Sequence, residues 1–235
     1  MHACYKLGMQ QLAITFRTWG GKRKRAGRKQ VNARKSQPHR KRPEINSATP
    51  VHVSLRVAPH VRRLRRLDAY RAIRRAMTVV LRRREFRIVH MSIQSNHLHL
   101  IVEADHAMAL ARGLQAFQIA AARRLNGDAR GKVFPDRYHA RVIRSPRQAR
   151  HALAYVINNW RRHKEDGGSA TRGWHIDAYS SASRFTDWNE AYVRRVPDEF
   201  EPLPVSSPQC WLLAEGWKLH RDAISVFECP GPHDE

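Results

Sequence analysis

The chain has 235 residues, of which 42% are hydrophobic, so it is long enough and apolar enough to form a domain with a core. Its 44 Lys and Arg residues against 20 Asp and Glu residues give a formal net charge of +24. This excess predicts a polyanionic partner, of which nucleic acid is the commonest. No apolar run approaches the roughly 18 residues of a transmembrane helix, and no signal peptide is evident, which excludes a membrane-spanning protein and predicts a cytoplasmic one.

The first 47 residues are dominated by basic side chains. Residues 17–42 contain four clusters of Lys and Arg, with glycines and almost nothing apolar between them. Such a segment cannot bury enough apolar surface to fold alone, which predicts a mobile basic arm over residues 1–47. We expect it to attract phosphates without sequence preference or, alternatively, to lay an arginine into a minor groove. The candidate DNA-binding residues of this arm are Arg23, Arg25, Arg28 and Lys29.

Beyond the arm, the hydrophobic pattern predicts regular elements. Val51 to Val57 alternates as a half-buried strand, and Val61 to Arg84 has the apolar spacing of an amphipathic helix with a basic outer face. Phe86 to Ile93 and His97 to Glu103 are predicted to be antiparallel strands, because only the short polar turn 94–96 separates them.

The predicted order of elements defines the fold class. Met108 to Leu125 is predicted to be a second helix and Tyr138 to Ile143 a last strand. The order strand, helix, strand, strand, helix, strand predicts an α+β, ferredoxin-like antiparallel sheet with helices on one face. We assign this domain to residues 48–165. Residues 166–235 are predicted to be an irregular C-terminal extension, whose aromatic side chains either pack on the domain or stack on unpaired bases.

The strand from His97 to Glu103 carries two histidines on one face. Alternation places His97 and His99 about 7 Å apart on that face and aliphatic residues on the other. Two imidazoles at this spacing are typical of a metal clamp, but a chain with 14 histidines is expected to contain about one such triplet by chance. Glu103 shares the face and either orients a ligand or ends the strand in solvent.

A third helix is predicted from Ser145 to Arg162. Ser145 is an N-cap, proline follows at the first helical position, and Gln148 completes a capping box. Tyr155 lies well off the centre of the apolar stripe. Asn159 lies one turn later on the same flank, where its amide oxygen can lie beside the tyrosine hydroxyl. The stripe itself consists of Ala149, Ala152, Leu153, Val156, Ile157 and Trp160.

A phenol, an amide oxygen, two imidazoles and a basic surface together indicate covalent chemistry on a phosphodiester. A metal would polarise the phosphate, and the Tyr155 oxygen would attack it as the nucleophile. Two histidines and Asn159 leave coordination positions open, which favours Mg²⁺ or Mn²⁺ over a closed structural zinc site, although imidazoles alone favour zinc. Tyr138 is the alternative nucleophile, but it lacks an asparagine partner one turn away.

Two motifs carry a resemblance to a known family. His97-Leu98-His99 resembles the signature of HUH single-strand endonucleases, and Tyr155 to Asn159 resembles the tyrosine helix of their single-tyrosine transposase branch. Residues 50–188, which include the runs 95–100 and 137–141, are similar to the REP-associated tyrosine transposases of bacteria. This resemblance implies the HUH endonuclease fold, metal-dependent cleavage of single-stranded DNA near a hairpin, a 5′-phosphotyrosine intermediate and rejoining through a free 3′-hydroxyl.

The resemblance also implies roles for individual residues. By position, His97, His99 and Asn159 would hold Mg²⁺ or Mn²⁺, and Tyr155 would be the nucleophile. Many relatives have proline directly after the helix asparagine, whereas Trp160 stands there in this chain, so we expect the helix to continue beyond it. Additional contacts with DNA are expected from Arg137, His139, Arg141 and Arg162.

The implied partner is single-stranded DNA with hairpins of the repetitive extragenic palindrome type, bound at the nucleoid by a monomer or homodimer. One alternative is a non-catalytic, domesticated nucleic-acid-binding protein on the same sheet, although the predicted strands lack the paired exposed aromatics of such platforms. Another is a replication initiator or relaxase, which shares the motif and differs in its target DNA.

Overall fold

The computed structural model of the protein describes residues 44–127, 131–168, 171, 173–193, 196–219 and 223–231. No helix within these ranges is long and apolar enough to cross a membrane. The candidate DNA-binding residues of the basic arm lie outside the described residues, namely Arg23, Arg25, Arg28 and Lys29.

Four strands form one antiparallel sheet in the order β2-β3-β1-β4. The predicted ferredoxin-like order of strands and helices is confirmed. β3 is a central strand: the tight turn after Ile93 joins it to β2, and its register with β1 places His99 opposite Ser54. The strands are β1 (Val51–Arg56), β2 (Phe86–Ile93), β3 (His97–Ala104) and β4 (His139–Val142).

Three main helices accompany the sheet: α1 (Leu67–Met77), α2 (Ala107–Asn126) and α3 (Pro146–Arg162). The prediction that the first helix extends over residues 61–84 is wrong at both ends. Arg66 is extended, so the helix begins only at Leu67, and turns follow it from Thr78. The reason at the N-terminal end is Arg65, whose side chain turns inward to a partner far away in the sequence.

The sheet separates two hydrophobic clusters. α1 and α2 pack on one face, as predicted, against residues such as Leu100. α3 packs on the opposite face against Val89 and Ile101, which share that face with the two histidines of β3. The predicted apolar stripe of α3 is entirely buried. The Ser145 hydroxyl accepts from the Gln148 N–H at 3.3 Å, as the capping box requires, whereas the Gln148 side chain accepts from the N–H of Arg144.

The chain after α3 lies along the β2 side of the sheet. The Ile93 N–H donates to the carbonyl oxygen of Tyr179 at 2.8 Å, and the Ser206 N–H donates to that of Ile88 at 2.9 Å. These bonds cover an edge strand that would otherwise expose its backbone groups. Most aromatic side chains of this segment pack on the two clusters, but Tyr192 is 74% exposed. The domain boundaries at residues 48 and 166 stay a prediction.

A buried ion pair joins this later segment to the start of α1. The Arg65 guanidinium donates to both carboxylate oxygens of Asp177, at 2.9 and 2.8 Å, and to the carbonyl oxygen of Ile93 at 3.0 Å. Burial alone would lower the pKa of Arg65, but the facing Asp177 carboxylate outweighs it and the pKa is raised. The pair therefore holds the end of β2, directly before the turn that leads to His97.

We expect Asp177→Ala to lower the free energy of unfolding by about 3–5 kcal/mol, because Arg65 keeps its buried charge but loses its bidentate partner and retains only the longer ion pair with Glu165, at 3.7 Å. Urea denaturation measures this change. The matched control is Glu201→Ala. Glu201 is 69% exposed and pairs with Arg74 at the surface, so its substitution should lower the free energy of unfolding by less than about 1 kcal/mol. Equal costs for the two variants would contradict a stabilising role of the buried pair.

Candidate active site

The two histidines of β3 converge at their outer ring nitrogens. His97 Nε2 lies 2.9 Å from His99 Nε2, and the rings are perpendicular, with centroids 4.6 Å apart. Burial, followed by the nearby His163, lowers the pKa of His97 to about 4, so its imidazole is neutral at pH 7. A neutral imidazole is the form that binds metal ions.

Hydrogen bonds to the other nitrogens orient both rings. His97 Nδ1 lies 2.7 Å from the amide oxygen of Asn96, which can only accept, so Nδ1 carries the proton and Nε2 a lone pair. His99 Nδ1 lies 3.0 Å from Ser54 Oγ and 3.2 Å from His52 Nε2. In the tautomer of His99 that donates its proton from Nδ1 to Ser54, Nε2 of His99 is unprotonated as well. In that tautomer two lone pairs face each other, and a cation bound by both nitrogens would satisfy them.

Tyr155 projects from α3 toward the same histidines. Its ring meets the ring of His99 edge to face, with centroids 5.0 Å apart, and that of His52 at 5.6 Å. Burial raises the pKa of the Tyr155 hydroxyl, while the positive charge of Arg162 and the amide of Asn159 lower it in part. The phenol is therefore protonated at neutral pH and would have to lose its proton in order to act as a nucleophile.

Asn159 lies between Tyr155, whose ring contacts His99, and His163, the residue after α3, whose ring is near His97. It follows Tyr155 by one turn and precedes His163 by one turn, and the His163 ring is 5.8 Å from that of His97. The side chain is fully buried, and its amide is near enough to the Tyr155 hydroxyl to lower the pKa of that group. This contact falls short of hydrogen-bond geometry, however, so neither the amide oxygen nor the nitrogen has a hydrogen-bond partner within the described part of the chain. Buried polar groups of folded proteins are almost always satisfied, so this amide fits a missing ligand.

Two imidazole nitrogens and an amide oxygen suit a divalent cation that keeps open coordination positions. Across the described residues, no three or more His, Cys, Asp or Glu side chains are grouped to hold a metal. A metal centre at the two histidines would therefore need a third protein ligand of another type, such as the amide of Asn159.

The structure separates the two candidate nucleophiles. Tyr138 packs against the hydrophobic cluster of α1 and α2, on the side of the sheet away from α3. This placement favours Tyr155. Glu103 neither reaches the histidines nor ends in solvent: it is buried and accepts hydrogen bonds from Arg87 and from the backbone N–H groups of residues 209 and 210.

The predicted DNA-binding residues outside the arm lie at two places. Arg137 and His139 are exposed at the start of β4, and Arg141 pairs across the strands with His52. Arg162 lies at the end of α3, exposed, with its guanidinium 3.4 Å from the carbonyl oxygen of Pro230. Arg141 lines a cleft together with Tyr155, and the charge of Arg162 lowers the pKa of Tyr155, so both arginines are close to it.

A cleft of about 470 Å³ opens beside Tyr155, between β4, the first half of α3 and the chain near Glu228. We call it the α3 cleft. Its walls are formed by His52, Arg141, Val142, Ile143, Ser145, Arg147, Gln148, Arg150, His151, Ala154, Tyr155, Glu228, Pro230 and Gly231.

The sequence analysis did not identify three residues that support the histidines: His52, Ser54 and Asn96. The alternation of β1 places His52 and Ser54 on one face, and this could be predicted from the sequence. Their position beside His99 follows only from the pairing of β1 with β3, which no local sequence pattern specifies.

Comparison with known proteins agrees with this architecture. Residues 50–159 match the family described as IS200-like transposases. A solved structure of a REP-associated tyrosine transposase bound to a REP hairpin superposes with a TM-score of 0.51 at 16% sequence identity, covering 69% of this chain and 100% of that chain. This similarity shows a shared fold. No curated protein matches the chain. The matched residues 50–159 span the sheet and α3 as far as Asn159, so this part of the chain is similar to the IS200-like transposases.

Proposed function

We propose that the protein is a metal-dependent transposase that cuts single-stranded DNA near hairpins and rejoins the strands through Tyr155. The observation that carries the proposal is the convergence of His97 Nε2 and His99 Nε2 beside the Tyr155 ring. The match of residues 50–159 to the IS200-like transposases supports strand transfer as the reaction class. The buried amide of Asn159 supports a metal at the same place.

His97, His99 and Asn159 would hold Mg²⁺ or Mn²⁺, which supplies positive charge to the non-bridging oxygens of the phosphate in the transition state. The Tyr155 oxygen attacks phosphorus and loses its proton, while the bond from phosphorus to the 3′ oxygen breaks and that oxygen gains a proton. The products are a 5′-phosphotyrosine and a free 3′-hydroxyl. Attack by a 3′-hydroxyl on the phosphotyrosine reverses these steps, joins two strands and releases Tyr155.

The chain's own residues prepare this reaction. Asn96, Ser54 and His52 fix the orientation of the two imidazoles. The charge of Arg162 opposes the effect of burial on the pKa of Tyr155 and so eases loss of the phenolic proton. Positive charge near the scissile phosphate also offsets the repulsion between an anionic strand and a developing phenolate.

The proposed partner is a DNA hairpin of the REP type, bound at the bacterial nucleoid by a monomer or homodimer. The structural relative is bound to a REP hairpin, and the formal net charge of +24 favours a nucleic-acid partner. Arg137, His139 and Arg141, together with the four basic residues named in the arm, are proposed as further DNA contacts.

We expect Tyr155→Phe to abolish formation of a covalent protein–DNA adduct, because the variant has no oxygen to attack phosphorus. Labelled hairpin oligonucleotides from the repeats around the gene are incubated with protein and Mg²⁺, Mn²⁺ or chelator, and adducts are resolved on a denaturing gel. Tyr138→Phe is the matched control and should keep the adduct. An adduct that persists in Tyr155→Phe would refute the assignment, and strong binding with no adduct in either metal would favour a non-catalytic binding protein.

In the presence of chelator, we expect Asn159→Leu to be at least as stable as the wild type. The substitution removes a buried amide without hydrogen-bond partners among the described residues, and such a group costs about 1–3 kcal/mol. The matched control is the equally buried Asn158, whose amide donates to the carbonyl oxygen of Ser225 at 2.8 Å. The Asn158 amide oxygen, like that of Asn159, has no partner among the described residues, so the two variants differ in the amide nitrogen. Asn158→Leu should therefore be less stable than Asn159→Leu by about 1–3 kcal/mol, because the carbonyl oxygen of Ser225 loses its donor.

Addition of Mn²⁺ completes the test by urea denaturation. Metal at about 100 times its dissociation constant should stabilise the wild type and Asn158→Leu by about 2.7 kcal/mol, and Asn159→Leu clearly less. If Mn²⁺ stabilises all three proteins equally, Asn159 is not a ligand.

A further inference from the structure

We propose that the α3 cleft binds a nucleotide of the single strand next to the phosphate that Tyr155 attacks, with Arg147 contacting its phosphate. This inference rests on the proposed function and adds where the substrate strand runs. The cleft volume of about 470 Å³ lies within the range of small-ligand sites, roughly 300–1,000 Å³.

The position of the cleft connects it to the reacting phosphate. Tyr155 and His52 form part of its wall, and both rings contact the ring of His99. A phosphate placed beside His97 and His99, within reach of the Tyr155 oxygen, therefore lies at the mouth of the cleft. A neighbouring nucleotide of the same strand enters the cleft from there, along the first half of α3.

The charge of the cleft suits an anionic strand. Three arginines line it, Arg141, Arg147 and Arg150, against one acidic residue, Glu228. That carboxylate is engaged with Arg150, with nitrogen-to-oxygen distances of 2.5 and 2.8 Å. Arg147 is exposed and forms no salt bridge with any acid that the structure describes. Its positive charge is therefore available to a phosphate.

The location of Arg147 is also unfavourable unless an anion is present. It lies in the first turn of α3, which contains no acidic residue, and the positive end of the helix dipole repels a cation there. A phosphate between the arginine and the helix would reverse the sign of this interaction. Together with the cavity and the adjacent nucleophile, this arrangement indicates a phosphate-bearing ligand.

The remaining walls suit a base and sugar. Val142, Ile143, Ala154 and Pro230 provide apolar surface, and His151 provides a ring on which a base can stack. A site for inorganic phosphate alone would not need this apolar surface. A positively charged groove combined with stacking surface is the usual design of sites for single-stranded DNA.

The first test compares Arg147→Gln with Arg112→Gln. Arg112 is an exposed arginine of α2, on the opposite side of the sheet, and its loss removes the same charge. Binding of labelled oligothymidylate, as a single strand and as a duplex with oligodeoxyadenylate, is measured by fluorescence anisotropy across a salt series. We expect Arg147→Gln to weaken single-strand binding and to reduce the slope of log K against log salt by about 0.7, while Arg112→Gln leaves the slope unchanged.

The second test uses the cleavage substrate itself. Single uncharged methylphosphonate linkages are placed at successive positions on either side of the cleaved bond, and the rate of adduct formation is measured for the wild type and Arg147→Gln. We expect one flanking position at which the neutral linkage slows the wild type but does not further slow Arg147→Gln. Arg147→Lys should restore most of the wild-type sensitivity, since it restores the charge.

The outcomes distinguish this proposal from the proposed function. If Arg147→Gln matches the wild type in affinity, salt slope and methylphosphonate sensitivity, the cleft assignment is overturned even though a Tyr155-dependent adduct forms. If no protein forms an adduct in any metal, the proposed function fails, whereas an Arg147-dependent salt slope would still identify the α3 cleft as a strand-binding site. Because Arg147 is exposed, thermal unfolding of its variants should match that of the wild type.

Discussion

The approach of His97 Nε2 to His99 Nε2, at 2.9 Å, is the interaction on which the site depends. The two nitrogens are brought together by a central strand of the sheet, and Asn96 and Ser54 hold the opposite side of each ring. Both imidazoles are therefore oriented before any ligand arrives, so little ordering remains to be done when a cation binds. Rigid support of this kind requires a strand with neighbours on both sides, which is the position of β3.

The packing of α3 determines which of its side chains face those histidines. Its apolar stripe is buried on the sheet, and this fixes the rotation of the helix so that Tyr155 and Asn159 point to the histidine face. Two adjacent, equally buried asparagines differ in one respect. Asn158 satisfies its amide nitrogen through Ser225, although its amide oxygen has no partner in the described chain, whereas neither amide atom of Asn159 has one. The proposed role of Asn159 as a metal ligand accounts for this difference.

The chain after α3 contributes to the site from a distance. Asp177 anchors Arg65, and Arg65 in turn binds the carbonyl oxygen of Ile93 at the end of β2. Glu165 accepts a hydrogen bond from Ser95 at 2.8 Å, within the turn that leads to the histidines. The start and the middle of the turn are thus held by residues located after α3. The same contacts explain why the first helix is shorter than its apolar periodicity predicts.

The sequence by itself determined what depends on neighbouring residues. Strand alternation placed His97 and His99 on one face, and helical periodicity placed Tyr155 and Asn159 off the apolar stripe of a helix that Ser145 begins. Only the tertiary structure decided which elements meet. It set His52 and Ser54 beside His99, moved Tyr138 to the opposite core, buried Arg65 against Asp177, and brought Arg147 and Arg141 to one cleft. The physical reason is range: periodicity and capping are set within a few residues, whereas strand order and burial depend on the free energy of contacts between distant parts of the chain.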